Sequence, residues 1–120
     1  MRVNETHPSV TASGWNLSSN RSEGDYQGDV LYTTTNGATA TITFTGTTVR
    51  IHSERNIDQG LVEFSVDGGP AVTVDTATPT RFVNVPVFEA DLPPGTHTVT
   101  MTKRSGQYAL LDGYSYIPIP

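Results

Sequence analysis

The chain has 120 residues, no cysteine and a formal net charge of -5 at pH 7. This length fits one domain with its own hydrophobic core, and the lack of cysteine excludes a disulfide framework or a zinc-thiolate site. Seven Lys and Arg residues scattered along an acidic chain argue against a nucleic-acid partner, and no apolar run reaches the roughly 18 residues of a membrane span. We therefore expect residues 1–120 to form a single module.

The first third of the chain predicts two short strands separated by a long loop. Residues 9–12 favour a first strand. Residues 16–28 are polar and rich in glycine, which predicts a loop long enough to be functional. The apolar run at residues 30–33 predicts the next strand, which ends at the turn pair Asn36-Gly37.

The clearest strand signal begins at residue 38. Ala40, Ile42 and Phe44 alternate with threonines, as in a strand that packs one face on a core. Gly46 lies between two threonines and predicts a turn, after which residues 49–53 form another strand. The chain has nineteen threonines, and this β-branched, wettable residue is favoured on exposed sheet faces.

The rest of the chain repeats this pattern of strand and turn. We predict strands at residues 61–66, 71–74, 82–88, 96–102 and 109–117. Turns at residues 67–69 and 92–95 fall between them, and Pro86 places its strand at a sheet edge or a bulge. No stretch requires a helix. Roughly eight or nine strands with this spacing predict an all-β fold, an antiparallel β-sandwich of the jelly-roll type.

The connections between these strands suggest where a ligand binds. Successive connections of an antiparallel meander alternate between the two ends of a sandwich. The tight turns then share one end, and the longer loops at residues 54–60, 75–81 and 103–108 share the other, which we call the loop end. Its candidate ligand-binding residues are Glu54, Arg55, Asn56, Asp58, Arg81, Lys103, Arg104, Gln107 and Tyr108. Planar hydrogen-bonding groups beside an aromatic ring suit a sugar, although each residue alone also fits an ordinary solvated loop.

The aromatic residues divide into two groups. Tyr26 and Tyr108 lie in polar loops and are candidates to stack on a sugar ring. Trp15 stands at the mouth of the long N-terminal loop, where it either stacks on a sugar or packs into the core. The tyrosines in predicted strands are interpreted as packing residues: Tyr32, Tyr114 and Tyr116.

The three histidines do not have the spacing of metal ligands. His52 alternates with Arg50 and Glu54, which predicts a surface side chain. His97 follows a Pro-Pro-Gly turn and is expected to be a structural partner of that turn.

Several motifs resemble a known family. They are the run GATATITFTGT at residues 37–47, the spacing of Asp58-x-Gly60 and Val66-Asp67-Gly68, the Gly95-x-His97 turn and the segment Leu111-Asp112-Gly113-Tyr114. Together they resemble the galactose-binding-like β-sandwich modules of carbohydrate-binding families 6 and 35, which are appended to bacterial glycoside hydrolases. The resemblance implies a noncatalytic, monomeric domain that binds plant or microbial polysaccharide or oligosaccharide. It also implies secretion and a covalently linked catalytic domain.

The resemblance raises the question of a structural calcium ion. Sandwiches of this type often hold calcium near the chain ends, and Asp112 matches a ligand position of the motif. Calcium takes roughly six to eight oxygen ligands, so one carboxylate does not establish a site. Asp112 fits a backbone cap before Gly113 equally well. No other cofactor is expected.

Two alternative functions use the same fold. A small glycan-active enzyme needs a pair of carboxylates, for which Glu54, Asp58 and Asp75 are the candidates at the loop end. A shallow rim on a small domain rarely excludes water, and the chain contains no nucleophile elbow or phosphate loop. The other alternative is an adhesion or assembly module of a cell-surface or phage protein, which would expose an apolar patch or edge strand.

Overall fold

The computed structural model describes residues 2–18 and 30–119. These residues are all β, and their strands pair antiparallel, as the alternation predicts. The described residues contain no helix that could cross a membrane. The strands are β1 (Arg2–Val3), β2 (Val10–Ser13), β3 (Asn16–Ser18), β4 (Val30–Thr33), β5 (Thr39–Arg55), β6 (Leu61–Val66), β7 (Val72–Asp75), β8 (Phe82–Lys103), β9 (Ala109–Leu111) and β10 (Tyr114–Pro118).

Two long strands form the frame of the sandwich. β5 and β8 pair from Thr39 opposite Thr102 to Arg55 opposite Phe82, with register irregularities along the way. The larger sheet has the order β1-β10-β5-β8-β6-β7 with β2 also on β5, and a smaller sheet has the order β3-β4-β9. The first half of β5 pairs with β2 and its second half with β10. The long strands therefore contribute to both layers of the sandwich.

The core lies between these layers. Phe64 stacks on Phe88 with ring centroids 4.7 Å apart, and Phe44 approaches the ring of Tyr114 at 6.3 Å. Ala40 and Ile42 are fully buried, as their alternation with threonines predicts. On the opposite face the hydroxyls of Thr45 and Thr96 lie 2.9 Å apart across the β5 and β8 ladder. A polar outer face and an apolar inner face follow from the period of two.

Two predicted turns prove to lie inside strands. β5 continues through Gly46, and β8 continues through residues 92–95. Gly46 pairs with Gly95, and Thr48 pairs with Asp91, so the three residues 92–94 face Thr47 alone. Both halves of β5 pair with β8, so the residues predicted as turns form a bulge within this pair of strands. The bulge predicted near Pro86 is confirmed by the register shift opposite Ile51 and His52.

The ends of the chain also differ from the prediction. Residues 16–18, predicted as loop, form β3 and pair with β4. The predicted last strand divides into β9, which joins the small sheet, and β10, which pairs with β1 and β5. The division falls at Gly113, which has a φ of +88°. The backbone lies so close to Val3 here that a Cβ on residue 113 would be 2.2 Å from the Val3 carbonyl oxygen. This conformation lets the chain leave one sheet and enter the other.

Candidate functional site

The three long loops meet at one end of the sandwich, as the connection argument predicts. The backbone N–H groups of Gln107 and Tyr108 donate to the carbonyl oxygen of Asp58 at 3.0 and 3.1 Å. The N–H of Asn56 donates to the carbonyl oxygen of Thr76 at 3.2 Å. Backbone hydrogen bonds thus fix the loops to one another, and side chains from all three can share one site.

A pocket of about 390 Å³ opens at this loop end. Five predicted residues line it: Glu54, Asn56, Asp58, Arg81 and Tyr108. Three described residues outside the predicted set also line it: Ser18, Tyr32 and Leu110. The volume lies in the usual range for small-molecule sites, roughly 300 to 1,000 Å³. The pocket therefore has room for a sugar residue.

Glu54 and Arg81 form the charged wall of the pocket. The Glu54 side chain is only 6% exposed, and its Oε1 accepts hydrogen bonds from Nε and Nη2 of Arg81 at 3.0 and 2.8 Å. Gln59 Nε2 donates to the other carboxylate oxygen at 3.3 Å. Hydrogen bonds between charged groups are short and directional, so the buried carboxylate fixes the guanidinium in the lining.

Asn56 and Asp58 supply the polar groups of the neighbouring wall. The side-chain oxygen of Asn56 accepts a hydrogen bond from the N–H of Ile57 at 2.8 Å, which leaves its NH₂ group to donate. Asp58 Oδ1 is buried and has no hydrogen-bond partner among residues 2–18 and 30–119. A ligand that donates a hydrogen bond to this oxygen would satisfy it.

Tyr108 and Tyr32 form the aromatic part of the lining. Their ring centroids are 6.3 Å apart in an edge-to-face arrangement. The interpretation of Tyr32 as a packing residue is therefore incomplete, since it also borders the pocket. The alternation of β4 explains this placement: Leu31 packs on the core, so the next side chain belongs to the other face. Leu110, which pairs with Tyr32 across the small sheet, lines the pocket with it.

Two cations of the predicted set lie elsewhere. Lys103 is completely buried; its Nζ donates to Asn36 Oδ1 and, at 2.7 Å, to the carbonyl oxygen of Gly106. Burial lowers the pKa of the Lys103 ammonium. Arg104 forms an exposed ion pair with Glu63 of β6 at 3.0 Å. Both side chains are engaged within the fold and do not line the pocket.

The remaining predicted residues have separate positions. Arg55 Nη1 donates to the carbonyl oxygen of Asp75 at 2.8 Å and links the ends of β5 and β7. Trp15 packs against the hydrophobic core, the second of the two roles considered for it. Gln107 is exposed and is fixed at the loop end through its backbone. Tyr26 lies outside the described residues.

The structure corrects the prediction for His52 and confirms the one for His97. His52 is half-buried, which corrects the prediction of a surface side chain; its Nε2 lies 3.0 Å from Ser115 Oγ. Burial, reinforced by the charges of Arg2 and Arg50, lowers the pKa of His52 to about 4. His97 confirms its predicted role, because its Nε2 lies 2.6 Å from the carbonyl oxygen of Pro93 in the Pro-Pro-Gly segment.

Asp112 is fully buried near the N-terminus of the chain. Arg2 Nη2 donates to its carbonyl oxygen at 2.5 Å and lies 4.0 Å from its Oδ2. The N–H of Asp112 donates to the carbonyl oxygen of His52 at 2.8 Å. Within the described ranges no three His, Cys, Asp or Glu side chains converge as a metal site. These residues alone do not complete a calcium shell, and a calcium role for Asp112 stays a prediction from the resemblance.

Two curated proteins share sequence with this chain, and no protein-family profile matches it. The chain is 35% identical over 109 residues to A type blood N-acetyl-alpha-D-galactosamine deacetylase of Flavonifractor plautii. It is 33% identical over 91 residues to A type blood alpha-D-galactosamine galactosaminidase of the same organism. The matches cover 90% and 75% of this chain but only 14% and 8% of the two relatives. Each match is therefore a small segment of a much longer protein.

A solved structure decides the fold. The CBM35 from Cellvibrio japonicus Abf62 superposes with a TM-score of 0.69 over 95% of this chain and 89% of that chain, at 15% sequence identity. This chain has the fold of a family 35 carbohydrate-binding module. The CBM35-like fold confirms the galactose-binding-like β-sandwich that the motifs predicted, with the loop-end pocket described above.

Proposed function

We propose that this CBM35-like chain is a noncatalytic carbohydrate-binding module whose pocket holds a sugar residue. The observation that carries the proposal is the composition of the pocket. A fixed guanidinium, an amide, a carboxylate with one oxygen that no described residue satisfies and two tyrosines line a single cavity of about 390 Å³. Sugars need hydrogen-bonding groups for their hydroxyls and an aromatic surface for the apolar face of the ring, and this lining offers both.

The relatives support a carbohydrate ligand and suggest where to begin. Both are named for galactosamine sugars of A type blood, so glycans that contain a hexosamine are the first ligands to test. Because the chain matches only a small part of each relative, we propose that it serves as an accessory segment of a larger extracellular protein. It would hold a linked catalytic domain close to the glycan and raise the effective concentration of substrate.

A binding role fits the carboxylates better than hydrolysis does. Glycoside hydrolysis requires two carboxyl groups, one acting as an acid and the other as a base or nucleophile. Glu54 is engaged by Arg81 and Gln59. These contacts hold Glu54 as part of the wall, which leaves Asp58 as the one carboxylate of the described lining outside an ion pair. We therefore assign the pocket to binding.

Replacing Tyr108 with alanine is expected to weaken glycan binding while the fold persists. The substitution removes ring contact from the pocket, and aromatic anchors of this kind contribute about 1 to 3 kcal/mol. Titration calorimetry with A-type oligosaccharides would measure the loss, and Ile117→Ala is the control because Ile117 is exposed and lies outside this pocket. Equal affinity of Tyr108→Ala and the unmodified chain would place the ligand elsewhere.

The chain is expected to release no product from glycans. Binding needs only that hydrogen bonds persist, whereas hydrolysis needs an acid and a base in suitable protonation states. Long incubation with A-type, plant and microbial glycans, followed by assays for reducing ends and for released acetate, would test this. Product that forms with this chain and disappears in Glu54→Gln or Asp58→Asn would contradict the noncatalytic assignment.

A further inference from the structure

The charges of the described pocket residues do not balance one another. Among the described residues, three charged side chains line the pocket: Glu54, Asp58 and Arg81. Arg81 approaches Glu54 Oε1 with two nitrogen atoms, at 3.0 and 2.8 Å. In the described part of the chain Asp58 takes part in no ion pair. The described lining thus carries one carboxylate in excess, and one oxygen of that carboxylate is buried without a hydrogen bond to residues 2–18 or 30–119.

We infer that this pocket selects a sugar that carries a free, protonated amino group, and that Asp58 is the residue that selects it. The inference rests on the proposed function, since it names the class of sugar bound at the same site. An ammonium group offers three N–H donors and a positive charge, which matches an unpaired carboxylate. A neutral hydroxyl offers one donor and no charge, and therefore satisfies Asp58 less well.

The tyrosines of the pocket also favour a positively charged sugar. The face of an aromatic ring attracts a nearby cation, by about 0.5 to 1 kcal/mol at exposed sites and more where water is excluded. Tyr32 and Tyr108 border the same cavity as Asp58. A sugar with a carboxylate would meet the excess negative charge, and like charges repel most strongly where solvent is limited. The pocket therefore discriminates against acidic sugars as well as neutral ones.

The test compares three ligands that differ at one position: the methyl α-glycosides of galactosamine, N-acetylgalactosamine and galactose. Calorimetry at about pH 6 keeps the amine protonated. We expect the galactosamine glycoside to bind roughly tenfold more tightly than the other two, the size of one charge-assisted hydrogen bond. Asp58→Asn keeps the shape of the side chain and is expected to remove this preference, so that the three glycosides bind with similar affinity.

The control variant is Glu89→Gln. It makes the same change in net charge at an exposed residue that pairs with Arg50, outside the pocket, and is expected to keep the preference. A second measurement needs no variant: the preference of the unmodified chain should disappear as the pH rises and the amine loses its proton. This measurement decides the inference if Asp58→Asn fails to fold.

The outcomes separate this inference from the proposed function. Equal affinity for all three glycosides, or a preference that survives Asp58→Asn, would overturn the role of Asp58 while carbohydrate binding stands. A preference that does not change with pH would overturn it too. If neither these glycosides nor a broad glycan panel binds, the proposed function fails and the inference fails with it.

Discussion

Replacing Gly106 with alanine is expected to destabilise the fold and abolish glycan binding together. Gly106 has a φ of +81°, and an added Cβ would lie 2.6 Å from the carbonyl carbon of Gln59. That atom belongs to the backbone, so the loop that carries Asp58 and the loop that carries Tyr108 would have to separate. The left-handed conformation and the steric clash together cost roughly 2 to 4 kcal/mol of unfolding free energy.

Thermal melting and calorimetric binding would measure the two effects of this variant. For a domain of this size the loss corresponds to a fall of roughly 10 °C in melting temperature. Gly37→Ala is the matched control, because Gly37 has a φ of +90° but a Cβ there would meet nothing within 4 Å. Gly37→Ala should lose only roughly 1 kcal/mol of unfolding free energy, from the left-handed conformation, and should bind glycan normally. Equal melting temperatures for the two variants would contradict the steric argument.

The position of the site could be predicted from the sequence for a simple reason. The period of two assigns each side chain to a face, and antiparallel connections alternate between two ends. These rules predicted Glu54, Asn56, Asp58, Arg81 and Tyr108 at one end of the sandwich, and all five line the pocket there. The prediction reached the right end of the sandwich although two of the turns that it counted, at Gly46 and at residues 92–95, lie inside β5 and β8.

The alternation of side chains along a strand, applied to β8, would have excluded Lys103 from the predicted site. Val99, Met101 and Lys103 occupy alternate positions of β8, and all three are buried. A strict reading of the strand therefore sends Lys103 inward, away from the predicted loop site. The aliphatic stem of lysine makes such burial tolerable when its ammonium finds acceptors, as it does in Asn36 and Gly106.

Other features depend on pairings that sequence alone does not reveal. The wall formed by Tyr32 and Leu110 requires β4 to pair with β9, which joins residues far apart along the chain. Nothing in either segment indicates the other. Likewise, Gly46 by itself predicts a turn. In the structure β5 pairs with β8 both before and after Gly46, and this pairing outweighs the local preference.

Raising the pH from about 6 to about 9 is expected to lower the melting temperature through His97. Its Nδ1 lies 2.6 Å from Asp67 Oδ2 and its Nε2 lies 2.6 Å from the carbonyl oxygen of Pro93. Both partners are acceptors, so the ring must carry both protons to form both bonds. The hydrogen bond to Asp67, followed by the one to the Pro93 carbonyl, raises the pKa of His97 above its usual 6.5.

The sign of the effect follows from this raised pKa. The folded state holds the His97 proton more tightly than the unfolded state, so the stabilisation is complete below pH 6.5 and is lost as the pH rises through the folded value. His52 acts in the opposite direction: its lowered pKa, about 4, makes stability increase as the pH rises toward 6.5. Its contribution is complete before the window in which His97 titrates, so the two histidines can be distinguished.

Asp67→Asn isolates the contribution of the ion pair. Asp67 has a φ of 51°, a conformation that asparagine also tolerates, and an amide oxygen can still accept the hydrogen bond that Asp67 Oδ1 receives from the N–H of Thr98 at 2.8 Å. The variant should bring the pKa of His97 back toward 6.5, as followed by NMR, and flatten the fall in melting temperature above that pH. A slope that persists in Asp67→Asn would assign it to another group. Because His97 pairs with Asp67 at the end opposite the pocket, binding of a neutral glycoside should stay unchanged across the same pH range.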